Sequence, residues 1–266
     1  MPIFHLVVLA IVQGITEFFP ISSSAHLILV PKLTGWDDQG ILIDLAVHIG
    51  TLLAVILYFR AEMWRMILGA FDAARGRYTK DAQLLSQVSL ASIPAFIAGF
   101  LIYRFGGNDL MRSVELIGWT TMLMGIVLYI ADRYGKHDNQ LDHVTLKSAL
   151  LIGLAQVLAL VPGVSRSGST MTAARFLGFE RAEAARFSFL MSIPVTMAAG
   201  GLGAIEIYQT GQAELQLDAF IAGVIAFFTA LFAISVLIRW LQRSSFTPFV
   251  VYRVILGAGL LVWTYL

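Results

Sequence analysis

The 266-residue sequence contains no cysteine. Disulfides, thiol nucleophiles and Cys-ligated metals are therefore excluded. Charge is scarce as well. Asp, Glu, Lys and Arg make up 13% of the chain, against about 25% in soluble domains. The formal net charge is only +1, and no Lys/Arg-rich tract interleaved with aromatics occurs. Nothing here points to a nucleic-acid partner. The apolar N-terminus, residues 1–13, lacks a basic leader and a small-residue cleavage site. It reads as part of the mature protein, not a signal peptide. What is abundant is apolar: 58% of the residues are hydrophobic, too many for a soluble core of this length to hide from water. The composition is that of an integral membrane protein.

Two apolar segments are interrupted. Residues 2–31 are long enough to span, yet carry Glu17, Pro20, Ser22, Ser23, Ser24 and His26 near their middle. Residues 146–179 are broken by Pro162-Gly163-Val164-Ser165-Arg166-Ser167-Gly168-Ser169. Proline breaks the helical ladder, and serines offer competing local hydrogen bonds. Non-helical backbone at membrane depth is tolerated only where protein or a wet cavity surrounds it. Each broken segment therefore reads as a re-entrant helix–loop–helix. Spanning helices are expected over residues 45–59, 84–105, 114–131, 184–208, 220–241 and 248–266, with Pro94 and Pro194 as kinks. Between them lie a basic connection (60–80), a short turn (106–112), a polar stretch (132–144) and an acidic loop (209–218). The expected fold is an all-α polytopic membrane protein with about six transmembrane helices and two re-entrant pairs.

Charge placement tests that count. With both broken segments re-entrant, one set of loops carries Arg60, Arg65, Arg75, Arg77, Lys80, Arg133, Lys136, Lys147, Arg181, Arg186, Arg239 and Arg243. The other carries Lys32, Arg104 and Arg112. The rich side is cytoplasmic by the positive-inside rule, which leaves both termini outside. If either segment spanned fully, basic loops would fall on both sides. The first pair then enters from outside and the second from the cytoplasm, as in inverted-topology repeats whose broken elements meet near the midplane. The expected repeats are 1–131 and 146–266. Gln13, Ser22, Ser24, Gly35 and Trp36 align with Gln156, Ser165, Ser167, Gly178 and Phe179 at one offset, and Ser92-Ile93-Pro94 recurs as Ser192-Ile193-Pro194.

The residues at the breaks suit phosphate chemistry. An arginine at membrane depth needs an anionic partner. Arg166 offers a bidentate fork for phosphate oxygens. Ser165, Ser167, Gly168 and Ser169 add hydroxyls and backbone N–H groups at a helix start. The plainer reading has Arg166 pairing with Glu17 as a lock. Glu17 is then a counter-ion, a general base or a metal ligand, and Gln13 lies one turn earlier on the same face. Ser22, Ser23, Ser24 and His26 can cap a helix. They also offer a nucleophile–base pair, with Ser23 or His26 as the attacking group. Asp44 and His48, one turn apart, rank lower. Arg175 is expected to face the cavity or to snorkel. His5, His137 and His143 read as interfacial or loop residues.

Glu17-Phe-Phe-Pro-Ile-Ser-Ser-Ser-Ala-His26, with Pro162-Gly-Val-Ser-Arg-Ser-Gly168, resembles the bacterial undecaprenyl-diphosphatase, or bacitracin-resistance, family. The likeness extends over the whole chain, including Ala185-Arg-Phe-Ser-Phe-Leu190 and Phe246-Thr-Pro-Phe249. It implies removal of the terminal phosphate from undecaprenyl diphosphate, regenerating a lipid carrier for cell-wall synthesis. It implies a homodimer in the bacterial inner membrane with its site facing the periplasm, and a divalent cation, Mg2+ or Ca2+. The family's acidic motif falls on Glu17, its Ser/His motif on Ser22 to His26 and its phosphate-binding arginine on Arg166. Many members carry a second Glu where this chain has Gln13, and Thr-Gly where it has Ser24-Ala25. The rival expectation is a transporter or lipid-carrier flippase, because inverted repeats with broken helices are common in transporters.

Overall fold

The computed structural model describes residues 2–37, 39–105, 113–136, 138–209 and 213–266. Among these run eleven α-helices and no strand. They are α1 (Ile3–Thr16), α2 (Ser23–Thr34), α3 (Ile41–Tyr58), α4 (Arg60–Ala74), α5 (Lys80–Phe105), α6 (Val114–Tyr134), α7 (Leu146–Val157), α8 (Arg166–Phe176), α9 (Arg181–Gln209), α10 (Ala213–Leu241) and α11 (Thr247–Tyr265). The expected turn at 106–112 and His137 lie outside the described residues. So do residues 210–212, the part of the expected 209–218 loop that falls between helices.

Helices occupy all six expected spanning positions. Four of them, Lys80–Ile102, Val114–Tyr134, Leu215–Leu241 and Thr247–Tyr265, are long and apolar enough to cross a membrane unaided. Their outer faces carry exposed Phe96, Phe100, Trp119, Leu123, Phe228, Phe232 and Ile255. So much exposed apolar surface fits lipid, not water. α3 has 18 residues, or about 27 Å of rise, slightly short of the ~30 Å hydrocarbon core. α9 is long but begins with Arg181, Glu183 and Arg186. It packs among α3, α5 and α8, so protein meets its polar groups. The protein is an all-α polytopic membrane protein.

The basic connection expected at 60–80 is mostly helix instead. α4 follows α3 after an 81° bend. Its exposed Trp64, Ile67, Leu68 and Phe71 form an i, i+3, i+4, i+7 stripe. The charges of this stretch had masked that period. An amphipathic helix bent off a span suits the membrane interface.

Both broken segments return on themselves. At the open end of the first, His5 stacks on Trp36 at 3.7 Å and 8°. This puts the start of α1 beside the end of α2. At the second, Asn139, which precedes α7, donates to Leu177 O (2.9 Å) just after α8, and Glu180 N donates to Asn139 O (2.9 Å). The hairpins enter from opposite ends of α3. Trp36 leads into its start, whereas Glu62, just past its end, pairs with Arg186 at the start of α9 (2.6 Å).

Local geometry is shared by the two hairpins. Ser22 and Ser165 both adopt φ +73°, a conformation costly for a residue with a Cβ. Each offsets that cost by capping its helix: Ser22 Oγ accepts from Ala25 N (3.4 Å) and Ser165 Oγ from Gly168 N (3.0 Å). Gly35 and Gly178 follow α2 and α8 with φ of +71° and +87°. The two Ser-Ile-Pro triplets sit on α5 and α9.

Arg175 neither faces the cavity nor snorkels. It is fully buried. It donates to Asp132 Oδ1 (3.3 Å) and to the carbonyls of Lys136 (2.9 Å), Gly135 (3.2 Å) and Phe179. Asp132 also accepts from Arg181 Nε (2.6 Å) and from Phe246 N (3.1 Å). One carboxylate thus ties the second hairpin to α6, α9 and the start of α11. Arg175→Met is expected to cost at least about 3 kcal/mol, since it leaves a buried network half-satisfied. Thermal unfolding in detergent checks this, and an unchanged midpoint would show the knot to be dispensable.

Candidate active site

The two hairpin tips meet at Glu17, a buried carboxylate at the C-terminal end of α1. Arg166, the first residue of α8, donates from Nη2 to Glu17 Oε1 at 2.7 Å. Ser23, the first residue of α2, donates to Glu17 Oε2 at 2.7 Å. Gln13 Nε2, one turn back on α1, donates to the same oxygen at 2.9 Å. His48 Nε2 lies 3.6 Å from it. These groups open on a cavity of about 290 Å³, lined by Glu17, Ser22, Ser23, Ser24, Asp44, His48, Ser165 and Arg166 on its polar side and by Leu45, Ala159, Val195 and Thr196 elsewhere. A larger pocket of about 540 Å³ between α3 and α10 is lined by apolar side chains and Gln216, and offers no comparable chemistry.

The remaining expected site residues are placed differently. Ser167 and Ser169 are buried and turned into the protein. Ser167 Oγ donates to Phe19 O (3.0 Å), tying one tip to the other, and Ser169 Oγ donates to Arg166 O (3.0 Å). The Gly168 and Ser169 N–H groups are bonded to Ser165 Oγ (3.0 Å) and Ser165 O (2.9 Å). The amides expected to cradle phosphate therefore serve the helix cap. His26 is not part of the cavity wall. Its Nδ1 is 2.7 Å from Ser22 O and its Nε2 is 2.6 Å from Tyr252 Oη. A carbonyl only accepts, so Nδ1 carries the proton and Tyr252 donates to Nε2. Both ring nitrogens are engaged.

His48 follows the same logic with a different result. Its Nδ1 donates to Asp44 O at 2.6 Å. That leaves Nε2 turned toward Glu17, with His48 on the cavity wall. Sequence reasoning ranked Asp44 and His48 low. The available signal was two ionisable residues one turn apart on an otherwise apolar helix. Arg253 was missed outright, although it is an arginine inside the last apolar segment. It is fully buried and donates to Pro20 O (3.0 Å) in one tip and to Gly163 O (2.9 Å) and Val164 O (3.0 Å) in the other.

Two buried side-chain atoms at the site lack a hydrogen-bond partner: Arg166 Nη1 and Gln13 Oε1. Such atoms are costly unless a ligand completes them. The first suits an anion and the second a cation. No group of three His, Asp or Glu side chains occurs among the described residues, so the protein alone builds no metal cage. Glu17 on the cavity wall offers one carboxylate to a hard cation that keeps waters and shares a ligand's phosphates, with Gln13 Oε1 buried behind it.

The sequence matches the family model described as "Bacitracin resistance protein BacA" over residues 6–259. The chain belongs to the BacA family. Among its relatives, an "Undecaprenyl-diphosphatase" from Roseobacter denitrificans is 48% identical over 266 residues, covering all of both chains. Proteins of the same name from Hahella chejuensis and Campylobacter curvus are 48% and 47% identical over 263 and 262 residues, 98% of each chain. For this BacA-family chain the match is end to end, so both hairpins and α11 lie within it.

Packing at the tips is close. A Cβ on Gly168 would lie 2.7 Å from Arg253 Nη1, and that guanidinium is held by four carbonyls. Gly168→Ala is expected to destabilise by about 1–3 kcal/mol through overpacking. Unfolding in detergent measures it, and a loss below about 0.5 kcal/mol, ordinary for a surface change, would show that Arg253 can yield.

Proposed function

We propose that this cavity removes the terminal phosphate of undecaprenyl diphosphate, releasing undecaprenyl phosphate and orthophosphate. This chain is a membrane hydrolase that recycles the lipid carrier, in a family named for bacitracin resistance. The observation that carries the reading is the buried, unpartnered Nη1 of Arg166, on a side chain that lines one cavity with a serine whose hydroxyl lies 2.7 Å from a carboxylate. A lock needs no spare donor. The transport reading is not favoured, since the relatives bear a hydrolase's name.

In this reading Ser23 Oγ attacks the terminal phosphorus and passes its proton to Glu17 Oε2. The bond from that phosphorus to the bridging oxygen breaks, and undecaprenyl phosphate leaves with the electron pair. Water then attacks the phosphoserine, the P–Oγ bond breaks, and Glu17 returns its proton to Oγ. Orthophosphate leaves and the water's remaining proton is released. Arg166 Nη1 takes a phosphate oxygen while Nη2 stays on Glu17, stabilising the transferred charge. Ser22, Ser24 and Ser165 line the cavity as polar contacts. His26 acts by holding the Ser22 carbonyl, and so the loop presenting Ser23. His48 lines the cavity beside Glu17. Glu17, with Gln13 Oε1 behind it, would hold a divalent cation, Mg2+ or Ca2+, which when bound would offset the charge of the two phosphates.

The site is assigned to the periplasmic side of the bacterial inner membrane. Val195 and Thr196, which line the cavity, lie about 15 Å along α9 from Arg186 on the Lys/Arg-rich side at 1.5 Å per residue, a depth near the middle of a ~30 Å core, so the choice of the periplasmic face rests on the family likeness. Residues 1–131 and 146–266 are assigned as inverted repeats. The shared serine conformation and caps at one offset support this, and the Ser-Ile-Pro triplets, on helices of different rank, do not take part. A homodimer rests on the family likeness.

Phosphate release from undecaprenyl diphosphate by the purified protein tests the reading. Wild type should release phosphate. Arg166→Met should lower turnover by about 10²–10³-fold, and Ser23→Ala by at least about a hundredfold. Near-normal turnover in Ser23→Ala would remove Ser23 as nucleophile. A chelator is expected to stop release and added Mg2+ or Ca2+ to restore it; release indifferent to chelation would discard the cation.

A further inference from the structure

We infer that Arg253 is an electrostatic positioning residue: a full positive charge, paired with no carboxylate among the described residues, set one residue layer behind the cavity as counter-charge for the bound diphosphate. This rests on the phosphatase reading and names a part of that site outside the cavity wall.

Among the described residues the other buried or half-buried arginines have carboxylates. Arg166 has Glu17, Arg175 and Arg181 share Asp132, and Arg186 has Glu62 and Glu183. Arg253 has carbonyls only: Thr121 O (3.0 Å), Pro20 O (3.0 Å), Gly163 O (2.9 Å) and Val164 O (3.0 Å). Among the described residues no carboxylate pairs with it. A clamp on loops does not require charge, and a buried unpaired cation is expensive. Carbonyl dipoles offset only part of that cost. The guanidinium lies behind the first turn of α8, 2.7 Å from where a Cβ of Gly168 would be. That turn starts from Ser165 and Arg166, both of which line the cavity. With Arg166 and Glu17 cancelling, Arg253 is the charge that balances Asp44, the cavity's other carboxylate, so an arriving polyanion meets no net negative field. In a low-dielectric interior such a charge acts over several ångströms on an arriving polyanion.

Two variant pairs separate charge from scaffolding, with inorganic diphosphate as competitor of phosphate release. Arg253→Gln removes the charge. Arg253→Lys keeps it but gives up the fork. If charge matters, Arg253→Gln weakens diphosphate inhibition by roughly 30-fold or more, while Arg253→Lys stays within a few-fold of wild type even if its unfolding midpoint falls as far. Equal weakening in both would overturn the inference in favour of a scaffold. Thr121 gives a second route that keeps the clamp, because its Oγ (3.3 Å) and Arg253 Nη2 share Gly163 O as acceptor. Thr121→Asp would neutralise Arg253 in place, and Thr121→Asn is its uncharged counterpart. The aspartate alone should lose inhibition; if it inhibits like the asparagine variant, the inference is overturned. Failure of the wild type to release phosphate would instead sink the phosphatase reading, and this inference with it.

Discussion

Everything in this fold answers to one constraint: backbone polar groups at membrane depth have no water to bond. A broken helix frees several of them at each break. Here two breaks are brought together, and each supplies partners for the other. Ser167 Oγ reaches Phe19 O. Thr120 and Thr121 on α6 donate to Pro162 O (2.7 Å) and Gly163 O (3.3 Å). Arg253 on α11 reaches carbonyls in both tips at once. Neither loop could hold this course alone in lipid. The site is therefore a by-product of mutual satisfaction: where two hairpins must meet to be stable, a polar, protein-walled cavity comes with them.

Much of this was legible in the sequence because its signals are short and strong. A glutamate, a proline, three serines and a histidine inside an apolar run cannot be a plain span. The Lys/Arg asymmetry then favoured re-entry for both breaks. What stayed hidden depends on direction rather than residue type. Ser167 and Ser169 read like Ser22 to Ser24, yet their hydroxyls turn inward to bond Phe19 O and Arg166 O. His26 and His48 are both histidines beside a carbonyl four residues back. Only the position of Tyr252, on a helix more than two hundred residues away, closes off the first ring and not the second. Helix α4 was hidden for another reason: its arginines argued for a loop while its apolar stripe argued for an interfacial helix, and the stripe prevails because it is periodic.

Glu17 shows how few groups need to be charged. Oε1 is taken by Arg166, and Oε2 accepts from Ser23 and Gln13. Three donors thus orient the carboxylate from both sides. In the proposed reading a phosphate takes the free Nη1 while Nη2 stays on Glu17, so anion binding and orientation of the base draw on one side chain.

The one-offset correspondence between the hairpins explains why this pairing arises at all. Ser23 and Arg166 hold equivalent places: each is the first residue of its helix, and each follows a serine at φ +73°. That serine conformation aims the next side chain across the gap between the tips. Two turns of one geometry therefore point two side chains at one carboxylate, Glu17. In the proposed reading the serine of one and the arginine of the other make that spot nucleophilic and anion-binding. Glu17 itself has no counterpart, since the same offset puts Leu160 at the second tip. The proposed chemistry therefore needs divergence as much as likeness: the shared turn sets the geometry, and three unequal positions, Glu17, Ser23 and Arg166, give it a direction.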